Sequence, residues 1–169
     1  FDAIVKQQSV QAMFAIIGFA LVVFLGLAIL MFVYAIGTKI IRRMTISQIG
    51  RAAREPLLIT FSTASSSVAM PYTMKAAEDG FGVAPEIART TVPLGATVNM
   101  DGTSVYQVMA LIFLMSLFGD VAGVTITAST LLSVAVLVVL YSVGTPGVPG
   151  GSVKVIQDVL VMFGIPPGV

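Results

Sequence analysis

The stretch GATVNMDGTSV, residues 95–105, sets one carboxylate, Asp101, beside the amide of Asn99 and between two glycines, Gly95 and Gly102. No other charged residue lies between 91 and 118, so Asp101 is alone in a segment otherwise apolar enough to cross a bilayer. An ionised carboxylate at the centre of a spanning helix costs about 2.5–3.5 kcal/mol on insertion scales, and more when isolated in lipid. It therefore needs a partner. Pro93, Gly95 and Gly102 oppose an unbroken helix, and an unwound backbone turns carbonyl oxygens inward. Those carbonyls, the Asn99 amide oxygen, threonine hydroxyls and one carboxylate form a hard-oxygen set suited to a small dehydrated cation. Zinc or copper would want nitrogen or sulfur instead. The competing reading keeps Asp101 protonated or pairs it with an arginine on a helix outside this sequence.

The surroundings are those of a membrane chain. Of 169 residues, 57% are hydrophobic and 10% charged, with a mean hydropathy of +1.01, far above the balance of a water-soluble domain. The formal net charge of +1 offers no basic field for nucleic acid. Cysteine and histidine are both absent from the sequence. That removes disulfides, Cys/His zinc sites, cysteine nucleophiles and histidine-based triads together. The opening FDAIVKQQSV has neither an initiator Met nor the basic region and cleavage site of a signal peptide. With the abrupt end after FGIPPG, the chain reads as part of a longer polypeptide.

Residues 10–36 are almost wholly apolar and uncharged, and at about 1.5 Å per residue they are long enough to cross a hydrocarbon core of roughly 30 Å. A transmembrane helix is expected there. Lys39, Arg42, Arg43, Arg51 and Arg54 follow, opposed only by Glu55, and by the positive-inside rule they mark a cytoplasmic loop. Residues 56–77 break at STASSS into halves each about half a bilayer long, which predicts a re-entrant hairpin. The charged segment 75–89 is expected as a cytoplasmic loop. Residues 91–118 read as a spanning helix interrupted mid-membrane, ending in an external FGDVAGV loop with Asp120 and no Lys or Arg. Residues 125–163 run apolar to GTPGVPGG and resume with Lys154 and Asp158, a second re-entrant hairpin entering from outside.

Two interrupted hairpins approaching from opposite faces around a broken helix is the layout of an inverted-repeat secondary transporter with its site near the midplane. The expected fold is an all-α integral membrane protein, with residues 1–169 as a single transport-domain segment. At the first tip, the amides of Ser65, Ser66 and Ser67 can face an anion as a helix N-terminus does. Alternatively the serines satisfy the turn's own backbone. A serine nucleophile lacks any histidine base. At the second tip, Gly144, Gly147, Gly150 and Gly151 give freedom while Pro146 and Pro149 stiffen. That suits a gate lending carbonyls and amides, against the alternative of a plain loop.

In this order and spacing, STASSS, PLGATVNMDGTSVYQ and SVGTPGVPGGSV closely resemble the dicarboxylate/amino acid:cation symporter family, which includes the glutamate and aspartate transporters. NMDGT is a highly specific motif. The resemblance covers nearly the whole sequence and matches the family from its sixth transmembrane helix through most of its second hairpin. It implies that the backbone carbonyls of Gly95 and Asn99 help hold one sodium ion, and the side chains of Asn99 and Asp101 another. It implies a third sodium at the carbonyls of Thr97, Ser142, Val143 and Thr145. The substrate would touch Ser65, Ser66, the Thr103 hydroxyl, and the backbone of Gly147 and Val148. Ala64 stands where some members carry an arginine, and Pro146 where a small residue is usual.

The resemblance further implies a multi-pass protein of the plasma or inner cell membrane, in contact with lipid and assembled as a homotrimer. It would be no enzyme and have no nucleic-acid partner. It would couple co-transported sodium ions to uptake of an acidic amino acid (glutamate or aspartate) or a dicarboxylate by an elevator-type movement. The rivals are a proton-coupled member of the same family and an ion channel with re-entrant pore loops.

The charge pattern makes a topological prediction. In the full-length protein, a cysteine at Arg43 reacts with impermeant thiol reagent only from the cytoplasmic side, and one at Asp120 only from outside. The reverse pattern of labelling overturns the orientation.

Overall fold

The sequence around the first apolar run contains no proline, and in the computed structural model it winds into one helix, α1 (Asp2–Arg42). Residues 2–123 and 125–165 are described. The helix is longer than the expected 10–36, because flanking Gln and Lys residues are good helix formers in water as well as in lipid. Apolarity marks what a membrane covers, whereas a helix stops only where the backbone turns. Here the turn is Arg43, at φ 54°. The Arg42 guanidinium ties this end down by donating to the carbonyls of Phe81 and, at 3.0 Å, Gly82.

Helix α2 (Ile46–Thr63) corrects the expected cytoplasmic loop, since Arg51 and Arg54 lie within it. The cause is a capping box. The Thr45 side chain accepts the Gln48 amide, and the Gln48 side chain accepts the Thr45 amide at 2.8 Å, so two orphan donors are satisfied reciprocally. Pro56, expected to open the first hairpin, lies inside this helix.

The chain breaks at Ala64, in the left-handed region at φ 48°, and resumes at Ser65 as N-cap of α3 (Ser66–Lys75). A π-helical turn follows, Ala76–Gly80, and then α4 (Pro85–Val98). Pro85 stands in the first turn of α4, where its missing N–H has no partner to lose and its φ is already helical. The expected loop over 75–89 therefore shrinks to residues 81–84, with Arg89 on α4 paired to Glu78 at 3.8 Å.

After Asn99 and Met100 the helix restarts as α5 (Asp101–Ala122). The expected external FGDVAGV loop is thus mostly helix; the Asp120 side chain and Val124 lie outside the described residues. The last elements are α6 (Ala128–Ser142) and α7 (Gly151–Met162), joined by the glycine-proline segment. The described residues are otherwise turns and short links, with no strand among them.

Helix α5 is the centre of the packing. Ala110, Leu111 and Met115 on one face meet Val134 and Val138 of α6 and Val155, Ile156 and Val159 of α7 in the buried core. The opposite face receives α1: Phe19 stacks on Phe113 at 4.8 Å between ring centroids, and Gly26 lies against Val105 and Met109. Leu27 then approaches Gly102, and Tyr34 bonds Asp101. Numbers rise along α1 as they fall along α5, so the two helices run antiparallel.

The outer surface of α1 is apolar and open, with Phe14, Leu21 and Phe24 each about two-thirds exposed. The runs Ala12–Arg42 and Pro85–Phe118 are long and apolar enough to cross a membrane. Lipid is as apolar as leucine, so helix association there rests on close packing rather than the hydrophobic effect, and small residues at crossings decide it.

Gly26 is such a crossing. A Cβ there would lie 2.6 Å from Met109 Cε and 3.2 Å from Val105 Cγ1. The methionine end can swing aside, so Gly26→Ala is tolerated; Gly26→Leu pushes α1 off α5. The expected outcome in detergent is a melting temperature close to wild type for Ala and lowered for Leu, whose overpacking costs roughly 1–3 kcal/mol.

Candidate functional site

Three helices are interrupted, at 64–65, at 99–100 and at 143–150, and the interruptions meet. The Ser65 hydroxyl donates to the Gly147 carbonyl at 2.7 Å, and the Ser67 amide donates to the same oxygen at 3.2 Å. The Gly144 amide donates to the Thr97 carbonyl at 3.1 Å. Thr97 has a free carbonyl because the residue that would bond it in a continuing helix lies beyond the break. Gly147 can approach the first tip only because it has no side chain. A Cβ there would stand 3.2 Å from Ser66 Cβ and 3.3 Å from Ser67 Oγ.

Asp101 opens α5 and is half-buried. Tyr34 on α1 donates its phenol to Asp101 Oδ2. The Asn99 amide nitrogen, turned to the carboxylate, donates at 2.7 Å to Oδ2 and 3.0 Å to Oδ1. Turned over, the same amide presents its oxygen there, and three oxygens then face one point. The carboxylate is therefore neither bare nor salt-bridged among the described residues. No three Asp, Glu, His or Cys residues gather anywhere among them. One carboxylate among neutral oxygens suits a monovalent cation better than calcium, whose sites draw on several carboxylates.

The other backbone oxygens expected to face cations fall into two groups. The Gly95 carbonyl accepts the Asn99 amide at 2.9 Å, closing the last turn of α4 beside Asp101. The Ser142 carbonyl accepts the Thr145 amide at 3.1 Å, one residue from the Gly144–Thr97 bond. Thr97, Ser142, Val143 and Thr145 thus share one neighbourhood, at the C-terminal ends of α4 and α6. Each such end carries roughly half a negative charge from the aligned peptide dipoles, which favours a cation. Ser142 and Thr145 are buried, and their hydroxyls are turned back to the Val139 and Tyr141 carbonyls at 2.9 and 2.8 Å. Their hydroxyl protons are thus engaged, and what these residues offer a ligand is oxygen lone pairs, which suit a cation.

The residues expected to touch substrate divide differently. Ser65 is buried, and its hydroxyl both donates to Gly147 and accepts the Val68 amide at 3.3 Å. Its side chain builds the tip. Ser66 lines a cavity of about 340 Å³ between α2, α3 and α4, together with Gly95 and Asn99. Thr60, Thr73 and Thr91 line it too, and no motif in the sequence marks them. Thr103 is half-buried on α5, Gly147 is buried between the tips, and Val148 is 47% exposed. The structure does not bring Thr103 or Val148 into that cavity's lining.

Two further residues went unseen in the sequence. Tyr34 reaches Asp101 from 67 positions away. Gln107, one helical turn beyond Thr103, is fully buried, and neither polar atom of its side chain has a partner among the described residues. The lone polar residue in an apolar stretch of α5 was the available signal for it.

Compared with known proteins, residues 1–169 match the family described as the sodium:dicarboxylate symporter family. A chain of Caenorhabditis elegans named as a sodium-dependent excitatory amino acid transporter is 32% identical over 158 residues, covering 92% of this chain and 31% of that one. Neutral amino acid transporter A of Homo sapiens is 38% identical over 111 residues, 66% of this chain and 20% of that one. Neutral amino acid transporter B(0) of Mus musculus is 37% identical over 111 residues, 66% and 19% respectively. The chain spans less than a third of the length of these relatives.

The meeting of the tips has its own test. In Gly147→Ala the added methyl forces the tips apart by a few tenths of an ångström. The amides of Ser67 and Gly144 are then expected to exchange with deuterium faster, while those around Leu111 in the core stay protected as in wild type.

Proposed function

Since the chain belongs to the sodium:dicarboxylate symporter family, whose members are transporters and not enzymes, we propose that it is the ligand-binding segment of a secondary active symporter that couples sodium entry to uptake of an acidic amino acid or a dicarboxylate. The observation that carries the reading is Asp101. It is a single carboxylate at a helix break in an apolar segment, held by the adjustable amide of Asn99 and a phenol rather than by a fixed cation. A fixed arginine would compete with every arriving ion, whereas neutral donors yield to one.

In this reading Asn99 and Asp101 hold one sodium through their side chains, and the carbonyls of Gly95 and Asn99 hold another. Thr97, Ser142, Val143 and Thr145 hold a third at the C-terminal ends of α4 and α6. The substrate carboxylate faces the N-terminal ends of α3 and α7 at Ser65, Ser66, Gly147 and Val148, with the Thr103 hydroxyl as a further contact. The pairs α2–α3 and α6–α7 are the two re-entrant hairpins of an inverted repeat, and the second is the gate. The packed body of α5, α6 and α7 with the joined tips moves as one unit in an elevator-type shift. Assembly as a homotrimer in the plasma or inner cell membrane rests on the family resemblance alone.

A neutral amino acid is the second reading. It is favoured by the cavity beside Ser66, whose lining contains no Lys or Arg, and by the relatives named for neutral amino acids. Competition of unlabelled aspartate, succinate and serine against labelled substrate separates the two.

The test of the ion reading is Asp101→Asn in the full-length protein, reconstituted into liposomes. Sodium-driven uptake is expected to fall to background, with membrane insertion and oligomeric state unchanged. Uptake at the wild-type rate sinks the assignment, and ion current without substrate movement points to a channel instead.

A further inference from the structure

The phenol of Tyr34 is unexplained by the proposed ion sites, and its position on α1 is not accidental to the packing. The α1–α5 seam runs from the Phe19–Phe113 stack through Gly26 and Leu27 and ends at Tyr34, level with the first turn of α5. The antiparallel contact therefore delivers one hydroxyl to one carboxylate oxygen.

An ionised carboxylate offers about four lone-pair sites. Tyr34 fills one on Oδ2, and the Asn99 amide fills one on each oxygen. Three of about four are thus taken by neutral donors; one site on Oδ1 stays open to an arriving cation, which reaches Oδ2 as well only by displacing Tyr34 or Asn99. Hydrogen bonds to an ionised acceptor are roughly twice as strong as neutral ones, so these donors stabilise the charge without cancelling it.

A symporter meets this problem in every cycle. After its ions and substrate leave, the carboxylate must cross the membrane with nothing bound, and an unpaired charge there is the costliest arrangement available. Resting on the reading of Asp101 as a sodium ligand, we infer that Tyr34, with Asn99, is a stand-in donor that replaces the cation on Asp101 during the return of the ion-free carrier. Tyr34 suits the role because it is a donor on a neighbouring helix, long enough to bridge the gap to α5. It is 49% exposed, so its ring has room to turn away when an ion arrives. It acts through Asp101 and is a positioning residue, with no part in holding substrate.

The experiment compares wild type, Tyr34→Phe and Asp101→Asn in the full-length protein reconstituted into liposomes. Three measurements are made: exchange of labelled for unlabelled substrate with saturating sodium on both sides, net uptake down a sodium gradient, and direct sodium binding to the purified protein by calorimetry. Exchange cycles only the loaded carrier, whereas net uptake also needs the ion-free return.

Tyr34→Phe is expected to keep exchange near wild type and to slow net uptake roughly tenfold, the scale of one lost hydrogen bond to a charged group. Sodium binding is expected to tighten, because one competitor for Asp101 is gone. Equal loss of exchange and net uptake, weaker sodium binding, or wild-type behaviour in all three measurements overturns the inference. The two readings fail separately. If Asp101→Asn still binds sodium as wild type does, the ion site itself is wrong. If Asp101→Asn loses that binding while Tyr34→Phe changes nothing, only the role of Tyr34 is lost.

Discussion

One backbone oxygen, the carbonyl of Gly147, accepts both the Ser65 hydroxyl and the Ser67 amide, and the site depends on that junction. A helix broken inside a bilayer leaves amides and carbonyls without water to satisfy them, at several kcal/mol for each unpaired group. Three breaks scattered through the membrane would be prohibitive. Brought together, they satisfy one another: the second tip's carbonyl takes the first tip's donors, and the second tip's amide at Gly144 takes the Thr97 carbonyl freed at the break before α5. The same condition explains the glycine at 147, since any Cβ would press on Ser66 and Ser67. It also explains why Gly144 and Gly150, at φ 95° and 79°, bound that tip: the left-handed backbone required there strains any residue with a side chain.

Once the breaks meet, the polarity of the helix ends sorts charge without ionised side chains. The C-terminal ends of α4 and α6 bring carbonyls to Thr97, Ser142 and Thr145. The N-terminal ends of α3 and α7 flank the Ser65–Gly147 contact. Each end amounts to about half an elementary charge, of opposite sign at the two kinds of terminus. In the proposed function, the cation and the substrate carboxylate would accordingly be drawn to adjacent but separate places. Asp101 adds the one full charge, and with Asn99 beside it and few competing acids nearby, the total fits ions of single valence.

How much of this was legible differs by the range of the interaction. The break at Asn99–Met100 was visible because a lone carboxylate and glycines in an apolar run conflict with an unbroken helix locally. Pro93 misled: it lies inside α4 without ending it, since one lost backbone bond is tolerable when the flanking turns hold. The start of α2 is written in Thr45 and Gln48, which spell a capping box, but apolarity does not reveal it, and a cationic stretch is no obstacle to a helix. The start of α4 at Pro85 was obscured in the same way by its charged neighbours. What the sequence could not express were contacts between distant positions: Ser65 with Gly147, Gly144 with Thr97, and above all Tyr34 with Asp101. Tyr34 sits in a run where an aromatic residue reads as lipid-facing, and only the antiparallel register of α1 on α5 gives its hydroxyl a destination. Among the serines, Ser65 serves the turn and Ser66 lines the cavity, a division that three identical residues in a row conceal.

The sum of the helix-end charges also bears on substrate range. Two N-termini supply together about one positive charge, enough to balance one carboxylate, and the cavity beside Ser66 has no cationic side chain in its lining. Ala64, at the first tip, carries none either. In the proposed function, the part of recognition carried by these residues would be the part common to every amino acid, and it would rest on backbone, which substitution of side chains leaves unchanged. A second carboxylate on the substrate requires a guanidinium or ammonium brought from another element. On that proposal, selectivity between acidic and neutral substrates would vary on that element while the tips stay the same, and one arrangement of breaks is then compatible with similarity to relatives named for both classes.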